Sequence, residues 1–370
     1  MAYERRVSRD HEGHAAEVQW VKAQMGTAEI TILGAGAFGL SCGYEAARRG
    51  AKVRVIDPFG IGHGSSGGVV GALAPHTPER WNAKKEFQFQ SLIMARAHWP
   101  EVEATGGVSS GYGNLGRVQA IKDARQLQLA REREDQAKTL WQGKADWRVV
   151  TQGETGYWAP ISPSGYLVHD TLSARLNPWR ACQALAAAIT ALGSTVVREG
   201  PQEGAVIHAS GWWGLKALNA AFGKQVGNGV KGQAILLDLA LPKAPQLYGE
   251  SLHVIPHADG TTAIGSTSER EFDSPQETDA QADALLARAR EAVPALRDAP
   301  EIRRWAGVRP RAKSRAPMLG SWPDRPGHFI ANGGFKIGFG MAPLAAKVLI
   351  DLVLDGRDEI PEDFRVDASL

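Results

Sequence analysis

Six residues, Gly34-Ala35-Gly36-Ala37-Phe38-Gly39, carry the spacing Gly-x-Gly-x-x-Gly, and Asp57 follows Gly34 by 23 positions. These residue types at this spacing are suited to holding the pyrophosphate and ribose of a dinucleotide. Gly34 permits a tight turn, Gly36 lets the backbone approach phosphate, and Gly39 lets the next helix pack close to its strand. The start of that helix, at Ala37 and Phe38, adds unpaired N–H donors and the positive end of a dipole. Asp57 would accept hydrogen bonds from ribose hydroxyls. It would repel a 2′-phosphate, which argues against NADP. The spacing alone leaves NAD and FAD both open.

Other reactive patterns are weaker. Gly64-Ser65-Ser66-Gly67-Gly68 satisfies Gly-x-Ser-x-Gly, but a nucleophile elbow needs a strand directly before it and a helix directly after. Here the preceding strand ends at Asp57 and more small residues follow. His253 and His257 form a spaced pair, as do His11 and His14, and neither pair has a third metal ligand. Cys42 and Cys182 are the only cysteines, too few for a disulfide scaffold or a multi-cysteine metal site.

The elements that must position the glycines follow from periodicity. Glu29 to Leu33 reads as a strand, Phe38 to Arg49 as a helix ending at Gly50, and Ala51 to Asp57 as a second strand closed by Pro58. That is a βαβ unit with a right-handed crossover. Helices are predicted from Lys84 to Trp99 with Pro100 behind, Ala124 to Trp141, Pro178 to Gly193, Thr278 to Val293 and Ala342 to Leu354. Strands are predicted over Tyr112 to Ile121, Gly204 to Gly211, several pieces of Val230 to Ser266, and His328 to Asn332. Trp305 to Gly320 reads only as Pro- and Arg-rich. The return from mixed strands to strand-loop-helix implies a nucleotide domain assembled from separate segments, with a β-rich domain inserted.

Composition narrows the classes. Forty-two basic and forty acidic residues leave a net charge of +2, which gives no electrostatic case for nucleic acid or anionic membrane. With 43% apolar and 22% charged residues among 370, the chain reads as soluble and globular. No run approaches the ~20 apolar residues of a membrane helix. The expected location is the cytoplasm. Residues 1–27 read as an appended arm, either a short helix or the product of a start codon upstream of Met25.

Four blocks resemble the glycine oxidase and D-amino-acid oxidase (DAO) family. They are the glycine motif at 28–57; the small-residue run Gly64 to Pro75; Val206-Ile207-His208-Ala209-Ser210-Gly211-Trp212; and Trp305-Ala306-Gly307-Val308-Arg309-Pro310 with Asn332-Gly333-Gly334-Phe335-Lys336-Ile337-Gly338-Phe339. The resemblance covers residues 28–356. It implies an α/β fold with an inserted α+β domain: a Rossmann-like FAD-binding domain (28–80, 165–225 and 305–356), a β-rich substrate domain (81–164 and 226–304) and a tail (357–370).

The resemblance also implies the chemistry. A small amine or amino acid (glycine, sarcosine or a D-amino acid) would yield its Cα hydride to FAD, and the imine would be hydrolysed. The cofactor does the hard step, so no catalytic side chain is assigned. Arg309 would clamp the substrate carboxylate, and Lys336 would add a second positive contact or approach the flavin. His253 falls where glycine oxidase has a substrate-facing tyrosine, and Tyr248 would lie at the pocket rim. The cofactor set is Gly34, Gly36, Ala37, Phe38, Gly39, Asp57, Ser65, Ser66, Val197, Gly211, Ile337, Gly338 and Phe339. The helix beginning near Gly338 would steady negative charge on reduced flavin. No cysteine lies near the late Arg-Pro block, so FAD is expected to be non-covalent. The chain between Val197 and Ala205 is shorter than the family's strand meander. Electrons would pass to O2 or to another acceptor. A D-amino-acid dehydrogenase and a flavoprotein subunit without turnover of its own are the alternatives, and a homo-oligomer is compatible with either.

Overall fold

A computed structural model describes residues 28–370. The expected arm (1–27), with His11, His14 and Met25, lies outside the described residues. Two main sheets organise the rest. The first comprises β1 (Ile30–Leu33), β2 (Val53–Ile56), β8 (Thr195–Val197), β9 (Ala205–His208), β15 (Met318–Ser321) and β16 (His328–Asn332). Their order across the sheet is β15-β16-β9-β1-β2-β8. All neighbours are parallel except β15, which runs against β16. The second sheet comprises β4 (Arg117–Ala120), β5 (Trp147–Thr151), β6 (Tyr166–Asp170), β10 (Gly227–Leu237), β11 (Gln246–Gly249), β12 (Leu252–Pro256), β13 (Thr262–Gly265) and β14 (Glu301–Ala312). Its order is β14-β10-β13-β12-β11-β4-β6-β5. A small ribbon pairs β3 (Ala72–Leu73) with β7 (Ala174–Arg175).

The helices are α1 (Ala37–Arg48), α2 (Ala83–Gly106), α3 (Ala124–Leu140), α4 (Pro178–Ala191), α5 (Gly211–Ala221), α6 (Ala280–Ala292) and α7 (Gly338–Asp355). Local chemistry explains their ends. The Asn177 side chain accepts from the Arg180 N–H and Pro178 follows at the first helical position, so α4 starts where the sequence says it should. α7 stops at Gly356, whose φ of 67° suits glycine. Helices α1, α2, α4 and α7 pack on one another and share a core with β1 and β2, including Ile32, Leu40, Val55, Trp99, Leu185 and Leu349.

The sheets divide the chain differently from the expected segments. β6 and β14 both belong to the eight-stranded sheet, whereas α2 packs on α4 and α7. Residues 357–370 are more than a tail: Phe364 is fully buried 4.6 Å from the Phe87 ring, and Arg365 bridges to Leu319 of β15. Three local expectations are also corrected. α2 runs through Pro100, which is solvent-exposed, so the carbonyl its missing N–H strands can face water while Trp99 and Val102 hold the helix by burial. The strand expected over Tyr112 to Ile121 shortens to β4, because Gly116 turns with φ of 77°. The Pro- and Arg-rich stretch contains β14, an edge strand, where Pro310 forfeits no ladder bond on its open side.

One ionic cluster ties α1 to α7. Asp351 is fully buried and lies 2.7 Å from Lys347, 2.8 Å from Arg49 and 2.8 Å from Arg357. Burial alone would raise its pKa, but hydrogen bonds from Lys347, Arg49 and Arg357 outweigh that and hold the carboxyl at about 2. A depressed carboxyl pKa adds stability above its unfolded value, and that contribution is lost as pH falls through about 2. Asp351→Asn should therefore cost on the order of 2 kcal/mol at pH 7, below the cost of breaking a wholly buried pair because its basic partners reach solvent. The difference from wild type in chemical denaturation should shrink steadily between pH 4 and 2. A pH-independent difference would show that the charge is not what matters.

Candidate active site

The first wall of the site is the carboxyl edge of the parallel sheet. β1, β2, β9 and β16 end side by side, and the residues just beyond them, Gly34, Asp57, Ala209–Gly211 and Asn332–Gly334, line a cavity of about 630 Å3. Close approach dictates the glycines. Gly34 has φ of 117°, and a Cβ there would lie 2.5 Å from the Ala209 carbonyl oxygen. A Cβ on Gly39 would lie 1.9 Å from the Gly34 carbonyl oxygen. Gly36 caps α1 with extended backbone and no side-chain cap, and the first turn of α1 holds no acidic residue. The dipole there faces the cavity with no acidic residue to offset it. The Ala37 N–H donates to Ser66 Oγ at 2.9 Å, which brings the 3-10 turn Ser65–Gly67 onto the helix start. Asp57 is fixed by two backbone donors, Ala35 N–H to Oδ2 (2.8 Å) and Phe59 N–H to Oδ1 (3.0 Å), and its remaining lone pairs border the cavity. A backbone cradle, a helix N-terminus and a strand-end carboxylate together fit a dinucleotide.

The second wall is one face of the eight-stranded sheet. Residues in register across a sheet share a face. The row Tyr248, His253, Gly265, Ala234, Trp305 runs across five strands. Two-residue steps add Gly232, Gly307 and Arg309 to the same side. This face meets Val69 and Val70 of the loop after β2. The opposite face carries Leu247, Val254, Ile264 and Ile235 and is covered by Leu285 and Ala289 of α6. Strand alternation thus points Arg309 at the nucleotide wall.

Arg309 is only 9% exposed. Its Nη2 donates to Ser266 Oγ at 2.5 Å and its Nη1 to the Thr267 carbonyl at 3.4 Å. Burial lowers its pKa to about 10, against a raising influence from Glu269. The guanidinium lies where a Gly232 side chain would be: a Cβ there would sit 1.8 Å from Nη2. Because the obstacle is the end of a flexible side chain, Gly232→Ala should displace Arg309 and spare the fold. We expect carboxylate affinity to fall roughly 10-fold or more, as misplacing a positioning group by an ångström does, with an unchanged melting temperature. Equal affinity in a ligand titration would mean that Arg309 has room to spare.

Lys336 lines the same cavity from the loop before α7 and is exposed at its surface. Partial desolvation lowers its pKa, and Arg309 and Arg311 lower it further. Gly338 and Phe339 also line the cavity, at the start of α7, whose first turn is likewise free of acids. Ser65, Ser66, Gly36, Ala37, Phe38 and Gly211 all lie on the wall.

Five expected residues do not, and one of them, Gly39, instead packs α1 against the Gly34 carbonyl. Val197 spends its carbonyl on the Asp57 N–H (3.0 Å), and Ile337 caps α7 by accepting from the Met341 N–H (3.0 Å). Tyr248 and His253 share the cavity-facing side of the sheet, with rings 4.8 Å apart, but stand outside the lining. His253 is pushed down to about 3, first by burial, then by Arg117, Lys336 and Arg309, and its Nδ1 has no hydrogen-bond partner among the described residues. It is neutral at physiological pH.

Sequence reasoning passed over several contributors. Ser266, Thr267 and Gly232 seat Arg309, and Asn332 ties β16 to α5 by donating to the Gly211 carbonyl at 2.9 Å. A glycine inside a strand signals close backbone approach, so Gly232 was findable. Arg117, buried against Asp170 at 2.9 Å, was not, because the partners lie 53 residues apart.

The geometry defines a dinucleotide-binding protein built on two main sheets, with a cationic pocket against the cofactor cleft. A family model described as DAO, FAD dependent oxidoreductase, matches residues 29–352, and the chain belongs to that family. The bifunctional protein ThiO/ThiG of Trichormus variabilis is 25% identical over 360 residues, covering 90% of this chain and 54% of that protein. This chain therefore spans about half the length of the bifunctional relatives it matches. Glycine oxidase of Bacillus subtilis is 24% identical over 373 residues, 92% of this chain and 97% of that one. The crystal structure of glycine oxidase from Geobacillus kaustophilus matches the fold with a TM-score of 0.80 at 22% identity, covering 92% of this chain and 98% of that one. Among the described residues, no helix is long and apolar enough to cross a membrane, and no three His, Cys, Asp or Glu side chains gather as a metal site.

Proposed function

We propose that the protein oxidises a small amino acid or related amine at its Cα–N bond, with dioxygen as the final acceptor. The carrying observation is Arg309, a buried guanidinium on the cavity wall whose described partners are a hydroxyl and a carbonyl. A buried cation in that state is a receptor for a carboxylate, which guanidinium grips through two parallel hydrogen bonds. Glycine oxidases among the relatives, aligned over nearly their full length, support the reading.

Bound FAD supplies the two-electron acceptor. Arg309 fixes the carboxylate and so restricts where Cα can lie, while Gly232, without a Cβ, leaves the guanidinium its place. As the Cα–H bond breaks, hydrogen leaves with its electron pair, the nitrogen lone pair forms C=N, and a nitrogen proton is released. Water then converts the imine to an oxo acid and an amine. The start of α7, free of acidic residues, favours negative charge beside it. FAD is held without a covalent bond in this reading: Cys42 and Cys182 are both buried, and burial raises each thiol to about 12.

The test is the visible spectrum of the purified protein, titrated without air with glycine, sarcosine, iminodiacetate and D-amino acids, then opened to air. Bleaching followed by prompt recovery supports an amine oxidase. A flavin that none of these amines bleaches overturns the reading. Bleaching without recovery in air overturns only the acceptor.

A further inference from the structure

Apart from Asp57 at the strand-end cradle, no carboxylate among the described residues lines the cavity to match its cations. Arg309 and Lys336 both line it. Arg311 follows Arg309 by two residues on the same face of β14 and lies over the Phe335 ring at 5.3 Å, with Lys336 Nζ 5.7 Å from that ring. None of these three cations forms an ion pair with a described residue.

The neighbouring carboxylates are committed elsewhere. Glu269 lies 3.5 Å from buried Lys231 and accepts from Gln233 at 3.1 Å and from the Thr267 hydroxyl. Asp279 also reaches Lys231 (3.6 Å) and Gln233 (2.8 Å). Asp170 is taken by Arg117. Like charges held together on a partly desolvated wall repel one another, and a bound anion relieves that repulsion. Burial lowers the pKa of Arg309, and that of Lys336 is lowered first by burial and then by Arg309 and Arg311. A monocarboxylate satisfies Arg309 and leaves Lys336 beside it.

We propose that the substrate carries two carboxylates, one held by Arg309 and the second by Lys336: a dicarboxylic amino acid or an amine bearing two carboxymethyl groups. This rests on the amine-oxidising reading above. Lys336 is then the residue that selects among carboxylated amines, by a contact that the shorter substrates lack.

Anaerobic stopped-flow reduction compares glycine and sarcosine with iminodiacetate, D-aspartate and D-glutamate, in wild type and Lys336→Met. In parallel, malonate and acetate are titrated into the oxidised holoenzyme and read by perturbation of the flavin spectrum. FAD affinity of both proteins is measured by fluorescence. We expect at least one dicarboxylate to bind about 10-fold more tightly than glycine, and malonate to outbind acetate by a similar factor, the worth of about 1.4 kcal/mol. Lys336→Met should collapse both ratios towards one with FAD affinity retained. Equal binding of malonate and acetate overturns the proposal, as does equal weakening of both classes by the variant. Loss of FAD affinity instead would make Lys336 a cofactor contact and also overturn it. Should no amine reduce the flavin, the oxidation reading fails alone, and the malonate ratio still decides the two-carboxylate site.

Discussion

Arg309→Met is expected to leave FAD bound, raise the dissociation constant for carboxylate substrates by about 100-fold and leave the melting temperature equal to or above that of wild type. The binding loss follows from truncating one partner of a desolvated, hydrogen-bonded charge pair, which costs roughly 2–5 kcal/mol. The stability effect has the opposite sign for a physical reason. In the free protein the guanidinium is buried with a hydroxyl and a carbonyl as described partners, and its lowered pKa of about 10 records how unfavourable that environment is for charge. Methionine fills similar volume without that penalty. Arg309→Lys keeps the charge but loses the planar fork, so its affinity should fall between the two. Stopped-flow reduction gives the dissociation constant and calorimetry the melting temperature. A fall in both would indicate a structural arginine, and unchanged substrate affinity would remove it from the site.

Gly39→Ala is expected to do the reverse, destroying cofactor binding through the fold. Its added carbon would meet the Gly34 carbonyl oxygen at 1.9 Å, a backbone atom that no rotamer can move. α1 must lift from the turn after β1, which withdraws the N–H groups at Ala37 and disturbs the Ala35–Asp57 contact. Overpacking of this kind costs about 1–3 kcal/mol of stability, and we expect a loss of FAD affinity of 100-fold or more. Gly43→Ala, one helical turn on, is the control. The nearest atoms to its Cβ all belong to side chains that can yield, Ile189 Cδ1 and Val55 Cγ2 at 3.0 Å and Ile32 Cδ1 at 3.5 Å. The ratio of FAD dissociation constants for the two variants tests the account. Comparable losses would mean that helix packing in general, and not the Gly34 approach, governs the cleft.

Much of this architecture was legible where chemistry is local. The Gly34–Gly39 turn and the Pro178 helix start each depend on a few adjacent residues, and each stands where the sequence placed it. Legibility failed where distant partners decide. β14 passes through Pro310 because it lies at a sheet edge, a fact about topology invisible in the residue string. α2 survives Pro100 because Trp99 and Val102 are buried by other helices. At the site, the run around Arg309 identified the residue but not its seat. Ser266 and Gly232 reach it only through the β10, β13 and β14 pairings. Family resemblance placed His253 and Tyr248 against substrate, and the register keeps them on the right face while the lining stops short of them.

The order β15-β16-β9-β1-β2-β8 has a consequence for how the chain is made. β1 acquires its second neighbour only with β9, and β9 acquires its own only with β16, so the sheet is finished by nearly the last strand synthesised. At ~5–20 residues per second, that is a wait of roughly 15–60 s after β1 leaves the ribosome. Until β9 emerges, Ile30 and Ile32, which end up all but inaccessible, have a sheet neighbour on one side only. The strand-end cleft is therefore complete only once β16 has emerged, and cofactor loading comes late in synthesis.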